Sequence, residues 1–116
     1  VSVAATCIFC KIVAGEIPAR ILAKTDHALA FADLNPQAPT HALVIPLRHV
    51  EHLGEFVDSA TAEEVHDLFL LASTIGREVT GNGYRVVTNE GVDGGQTVYH
   101  LHLHVLAGRA MGWPPG

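Results

Sequence analysis

The sequence predicts an α+β domain, a five-stranded antiparallel sheet carrying one long and one short helix. Two observations lead there. Extended helical periodicity is confined to Thr61–Thr80, and the rest of the chain breaks into short apolar or alternating runs bounded by Gly, Pro, Asn and Asp. The run Val98–Leu106 alternates, with His100, His102 and His104 at every second position between apolar residues. That is strand periodicity, and it puts the imidazoles on one face and Tyr99, Leu101, Leu103 and Val105 on the other.

The elements follow in order. Thr6 is placed to cap a short helix through Ile12–Ala14, closed by Gly15. Pro18 opens an extended segment, and Arg20–Thr25 and His27–Asp33 read as strands around a turn at Thr25-Asp26. Asn35–Pro39 is a rigid loop. In the strand His41–Pro46, Ala42 and Val44 share one face and His41, Leu43 and Ile45 the other. Thr61 and Glu64 have capping-box spacing at the start of the long helix. Val65, Leu68, Phe69, Ala72 and Ile75 form its apolar stripe, and Gly81 with Gly83 ends it. Tyr84–Asn89 is a strand, Gly91–Thr97 a glycine-rich loop, the histidine run a fifth strand, and the tail ends Gly112–Gly116.

Composition narrows the function classes. At 116 residues the chain is read as a single domain, 1–116. Apolar content of 48% against 16% charged residues marks an ordered chain with more apolar surface than a lone small domain needs. Leu70, Leu71 and Val79 give the long helix a second apolar side, which points to a homodimer. The formal charge of −5 and the lack of a basic stripe argue against duplex nucleic acid as a partner. No apolar run is long enough for a membrane span, so no membrane partner is expected. The N-terminal residues are too short and too weakly apolar for a signal peptide, so the expected location is the cytoplasm.

Three imidazoles on one strand face are too polar to bury without partners, and they point to chemistry. A metal tripod is one use. His100 and His104 would stand about 13 Å apart along a straight strand, too far to share one ion with His102 easily. Nucleophilic attack at phosphorus uses the spacing better. Neutral imidazole attacks through one nitrogen while a hydrogen bond orients the other, and an imidazole two residues along contacts the phosphoryl oxygens. The loop that feeds this run carries Gly94 and Gly95, which allow backbone amides to turn toward an anion, with Gln96 and Thr97 as side-chain donors. The plain alternative is a hairpin loop.

The pattern from His100 to Leu106 resembles the signature of the histidine-triad (HIT) nucleotide hydrolases and transferases. The resemblance extends to Phe31–Pro46, to Asn89–His104 and to the tail Gly108–Gly116, and these are similar to the Hint branch of that family. It implies a HIT-like fold and a purine nucleoside phosphoramidase acting on AMP and GMP phosphoramidates. His102 would attack the α-phosphorus, giving a nucleotidyl-histidine that water resolves. His104 would contact the phosphate, His100 would orient His102, and His41 would sit behind the triad. Asp33 would accept from the ribose hydroxyls. Ile12, Phe31 and Leu34 would line the base pocket. Asn89, Gly95, Gln96 and Thr97 would hold the phosphate or leaving group. The resemblance also implies a dimer in which Trp113 approaches the partner's site, and no catalytic cofactor. Position 97 is typically Ser in the Hint branch; Thr keeps the hydroxyl and adds a methyl.

Cys7 and Cys10 are half a zinc site, a redox pair or two buried thiols. The resemblance completes the first of these, with Cys7, Cys10, His49 and His100 as ligands of a structural zinc ion. His27, His52 and His66 lie outside every motif and read as solvent-facing. Two further functions stay open at this stage. One is a dinucleoside polyphosphate hydrolase of the same family; the other is a nucleotide-binding scaffold whose role is partner binding.

Overall fold

The structure is a computed structural model and describes residues 6–79 and 81–116. Five strands form one antiparallel sheet: β1 (Ile21–Lys24), β2 (Ala28–Ala32), β3 (Thr40–Pro46), β4 (Tyr84–Val87) and β5 (Leu103–Ala107), in the spatial order β1-β2-β3-β5-β4. Among the described residues four helices accompany it: α1 (Ile8–Val13), α2 (Leu53–Ser59), α3 (Ala62–Val79) and the single turn α4 (Gly91–Gly94).

Two faces of the sheet do different work. Ala28, Ala30, Ala42, Val44, Leu103 and Val105 meet Leu68, Leu71, Ala72 and Ile75 of α3 in the main core. The alanines keep the sheet surface low, so the helix comes close. Leu29, Phe31, Leu43 and Ile45 point the other way and are covered by Cys7 and Phe9 of the α1 region. This second face carries the chemistry. The division of β3 into an Ala42/Val44 side and a Leu43/Ile45 side follows the expected alternation.

Local signals explain the elements. Thr25 Oγ1 accepts from the backbone N–H of His27 at 3.2 Å and of Ala28 at 3.0 Å, closing the β1–β2 turn. The capping box forms as spaced: Glu64 N–H donates to Thr61 Oγ1 at 3.2 Å, and Thr61 N–H to Glu64 Oε1 at 3.3 Å. The expected last residue of α3, Thr80, lies outside the described residues. Within α3, Gly76 is needed for close approach, because a Cβ there would stand 2.4 Å from the Tyr84 ring of β4.

Several expectations are corrected. The cap of α1 is Cys7, whose Sγ accepts from Cys10 N–H, not Thr6. The chain has α2 and α4 besides the expected long and short helices. α2 buries only Phe56, so it left no apolar stripe to read. It starts at His52, whose Nδ1 accepts from Glu55 N–H at 3.2 Å, so His52 is a helix cap and not merely solvent-facing. His27 pairs with Asp67 at 2.8 Å. The buried face of α3 is set by Leu68, Leu71, Ala72 and Ile75, while Val65 and Phe69 stay exposed with Leu70 and Val79. The apolar surplus exists, but it includes Phe69 and Val65 and not Leu71.

The largest correction concerns the histidine run. Only Leu103–Ala107 pairs as a strand, against β3 on one side and β4 on the other. The ladder with β3 stops at Val44–Leu103, two residues short of the end of β3; Pro46, which the register would set opposite Leu101, has no N–H to give. Ahead of it, Leu101 N–H donates to Val50 O at 2.8 Å, a loop partner. Alternation survives the loss of pairing: Leu101, Leu103 and Val105 lie in the main core, and the histidines lie on the other side.

Candidate active site

His102 is the best-defined group of the site. Its ring Nδ1 lies 2.8 Å from the His100 carbonyl, and a carbonyl only accepts, so Nδ1 carries the proton. Nε2 therefore keeps its lone pair. The same bond ties residue 102 back to residue 100, a local curl in the stretch where strand pairing is absent. The Phe9 ring stands edge-on to His102 with centroids 5.2 Å apart, which fixes the imidazole from the α1 side. Burial lowers the His102 pKa, so the ring is neutral at physiological pH.

His104 follows at a centroid distance of 5.0 Å. Its Nδ1 is 2.8 Å from His41 Nε2. His41 Nδ1 accepts from the Gln37 backbone N–H at 3.0 Å, so His41 is protonated on Nε2 and donates to His104. His104 is then left with its proton on Nε2. Asp33 Oδ2 lies 3.3 Å from the same His41 nitrogen, and Asp33 Oδ1 accepts from Asn35 N–H at 2.8 Å. Asp33, His41 and His104 thus cluster closely enough to be weighed as a cation site. The hydrogen bonds argue against one, since the only His41 nitrogen facing the cluster carries a proton.

Burial, with His102 and His41 acting in the same direction, pushes the His104 pKa down to about 4. With His102 shifted below its ordinary value and His104 down to about 4, the roles expected of these rings should not give the ordinary imidazole limb near about 6.5. Turnover measured against pH should hold from neutrality through about 6.5 and fall only at lower pH. An acid limb at 6.5 or above would contradict this desolvated pair.

These side chains sit at the junction of two cavities. One, of about 280 Å³, is bounded by α1 and holds Ile12, Phe31, Asp33, Leu34, Thr97, His102 and His104 in its wall. It brings together the residues expected for the base pocket, the carboxylate expected to read the ribose and the ring expected to act as nucleophile. The other, of about 650 Å³, is lined by His41, His104, Asn89 and the C-terminal tail. His104 borders both.

Not every expected residue meets a cavity. Gln96 is buried and fully engaged by the protein. Its Oε1 accepts from Gly91 N–H at 3.1 Å, and its Nε2 donates to Glu51 O at 2.6 Å and Val98 O at 3.1 Å. The expected ligand donor is instead a clamp that ties the glycine loop to the start of α2. Gly95 adopts φ +83°, as the loop requires, but its N–H and that of Gln96 donate back to Val92 and Gly91 carbonyls. The loop is held by its own amides, which corrects the picture of an open amide nest at those two positions. The Trp113 side chain is exposed and lines neither cavity. Phe9, Ile8 and Val98 are among the further residues that line the first cavity and were not singled out by sequence. The apolar run Ile8-Phe9 beside Cys10 was the available signal.

Behind His102 lies a second cluster. His100 is fully buried and its Nε2–H donates to Pro46 O at 2.9 Å, leaving Nδ1 as the free lone pair. That Nδ1 is 3.4 Å from Cys7 Sγ and 3.5 Å from Cys10 Sγ, and Cys10 Sγ is 3.3 Å from His49 Nδ1. The edges of a zinc tetrahedron with ligand bonds of 2.0–2.3 Å are about 3.3–3.8 Å, so the donor spacing fits. The ligand atoms all lie within 4.8 Å of one another. The His49 Nε2 atom is buried without a hydrogen-bond partner. Burial, followed by the Cys7 sulfur, raises the Cys10 thiol to about 11, a value a bound cation would reverse. Two thiols and two imidazole Nδ1 atoms are a structural zinc donor set.

Comparison with known proteins agrees with this geometry. The HIT domain family model matches residues 14–111. An uncharacterised HIT-like protein of Synechococcus elongatus is 48% identical over 109 residues, covering 94% of this chain and 96% of that one. A HIT family hydrolase from Legionella pneumophila superposes with a TM-score of 0.86 at 43% identity, covering 95% of this chain and 99% of the other. A zinc-bound histidine triad family protein from Mycobacterium smegmatis superposes with a TM-score of 0.79 at 31% identity, covering 91% and 77%. The chain belongs to the HIT domain family. Among the described residues no helix is long and apolar enough to cross a membrane.

Proposed function

We propose that this protein is a hydrolase of the Hint branch that cleaves the P–N bond of purine nucleoside 5′-phosphoramidates. The observation that carries the reading is the His102 ring, held by its Nδ1–H on the His100 carbonyl with Nε2 left free in the wall of a nucleoside-sized cavity. The base enters between Ile12, Phe31 and Leu34, and Asp33 accepts from the ribose hydroxyls. His102 Nε2 attacks the α-phosphorus, forming an N–P bond as the P–N bond to the amine breaks. The departing amine takes its proton from solvent, while His104 Nε2–H donates a hydrogen bond to a phosphoryl oxygen and keeps its proton. Water then attacks the nucleotidyl-histidine and releases AMP or GMP, restoring His102.

The reading needs no catalytic cofactor. A structural zinc ion would be held by Cys7, Cys10, His49 and His100, and it would supply a fixed tie between α1 and the nucleophile segment. The molecule acts as a homodimer in this reading. Val65 and Phe69 lie on the same helical line as Gly76, which packs on Tyr84 of the edge strand β4. A second copy there covers the exposed apolar residues and a free sheet edge together, and brings Trp113 toward the partner's site. Light scattering at micromolar concentration should give twice the chain mass; a monomer with full activity would remove the dimer from the account.

The activity itself is tested with adenosine 5′-phosphoramidate and its 2′,3′-dideoxy analogue. The first should be hydrolysed to AMP. The second should lose about 1.5–3 kcal/mol in kcat/KM, the worth of hydrogen bonds to a charged acceptor. No hydrolysis of the first would overturn the reaction, and equal rates for both would remove Asp33 from ribose recognition.

A further inference from the structure

The cavity beyond His104 holds two arginines that no ion pair among the described residues engages. Arg85 and Arg109 both line it, together with Gln37, Asn89 and the tail; its wall contains no Asp or Glu side chain, and its one carboxylate is that of the terminal Gly116, which is in ion-pair contact with neither arginine. Arg85 donates from Nη2 to Gly112 O at 2.7 Å. Arg109 donates to Gln37 O from Nε at 3.3 Å and from Nη2 at 3.0 Å, and to Ala110 O from Nη1 at 3.1 Å. Carbonyls fix a guanidinium in place but leave its charge unneutralised. Among the described residues, the ion pairs of the protein engage neither arginine. The chain as a whole is acidic, with a formal charge of −5, so two unpaired cations in one cavity are not a property of its general surface.

Register places this charge on the path of the substrate. Val87 pairs with His104 and Arg85 with Leu106, so Arg85 is one step along the same sheet face, about 7 Å from the row of His104. The ring of His104 borders both cavities. In the phosphoramidate reading, with a nucleoside in the α1 cavity and its phosphorus at His102, the second cavity, joined to the first at His104, is the space that would receive the group leaving phosphorus.

We propose that this second cavity is a leaving-group subsite that selects amines bearing an anionic group, a carboxylate above all, with Arg85 as the recognising side chain and Arg109 holding the wall. This rests on the phosphoramidate reading above and deepens it. The guanidinium fork of Arg85 keeps most of its N–H groups available and matches the two oxygens of a carboxylate.

The test uses two adenosine 5′-phosphoramidates that differ only at the far end of the amine, one made from β-alanine and one from β-alaninamide. The wild-type protein should favour the carboxylate by about tenfold or more in kcat/KM at low ionic strength, and the preference should shrink as salt is added. Arg85→Gln, which retains a donor for Gly112 O, should lower the carboxylate-to-amide ratio by about tenfold, and Arg85→Lys should restore part of it. A wild-type ratio near one, or an equal loss on both substrates in Arg85→Gln, overturns the subsite. If neither compound is hydrolysed, the phosphoramidase reading falls. Calorimetric titration of the same pair into the wild-type protein then still decides the subsite, and equal affinities overturn it.

Discussion

His102→Asn is expected to remove turnover, by about 10⁴-fold or more, while AMP affinity stays within about threefold of wild type. The asymmetry follows from how the ring is held. Asparagine offers an N–H to the His100 carbonyl in place of Nδ1–H, so the chain keeps its local curl. It offers no lone-pair nitrogen where Nε2 stood, and covalent catalysis needs that atom. In the proposed reading ground-state affinity comes from other groups that line the cavity, the walls Ile12 and Phe31 and the carboxylate of Asp33. Initial rates and calorimetric titration on one preparation separate the two effects. Near-normal turnover in the variant would reassign the nucleophile.

Replacing both thiols, Cys7→Ser with Cys10→Ser, is expected to have the largest effect on stability. Wild-type protein purified without chelator should hold about one zinc per chain by elemental analysis, and the double variant none. Loss of a structural metal costs several kcal/mol, so the melting temperature should fall by roughly 10 °C or more. The damage should also reach the nucleotide. Cys7 and Cys10 sit on either side of Phe9, which packs on His102, and α1 walls the nucleoside cavity. His100 links the two sites, giving a side-chain nitrogen to the cluster and its main-chain carbonyl to the ring of His102. AMP affinity should therefore weaken along with stability. A metal-free wild-type protein that is stable and active would return the cysteines to the role of buried thiols.

Much of this was legible in the sequence because periodicity and capping act locally. The β3 alternation, the Thr61–Glu64 box and the Thr25 turn are short-range features, and the structure has them as spaced. What escaped was decided at long range. The histidine run reads as a continuous strand, yet its first half bonds to Val50 and to itself, where the register would set Leu101 opposite Pro46, a residue with no N–H for the ladder. Gln96 looks like a ligand donor beside glycines, and only the fold shows Glu51 and Val98 carbonyls converging on its amide. The face of α3 toward the sheet turned by enough to bury Leu71 and expose Phe69, a choice that apolar residues on both sides left undetermined. Arg85 had no motif around it; its place on the face of His104 is a matter of register.

The central claim is that His102 becomes covalently bonded to the nucleotide. The direct measurement is a rapid denaturing quench of wild-type protein during turnover of an adenosine 5′-phosphoramidate, followed by mass analysis of its peptides under mildly basic conditions. The account predicts a single adenylyl group on His102, formed and lost at rates that match turnover. Steady hydrolysis with no adenylylated peptide, or with the adenylyl group on another residue, would contradict it.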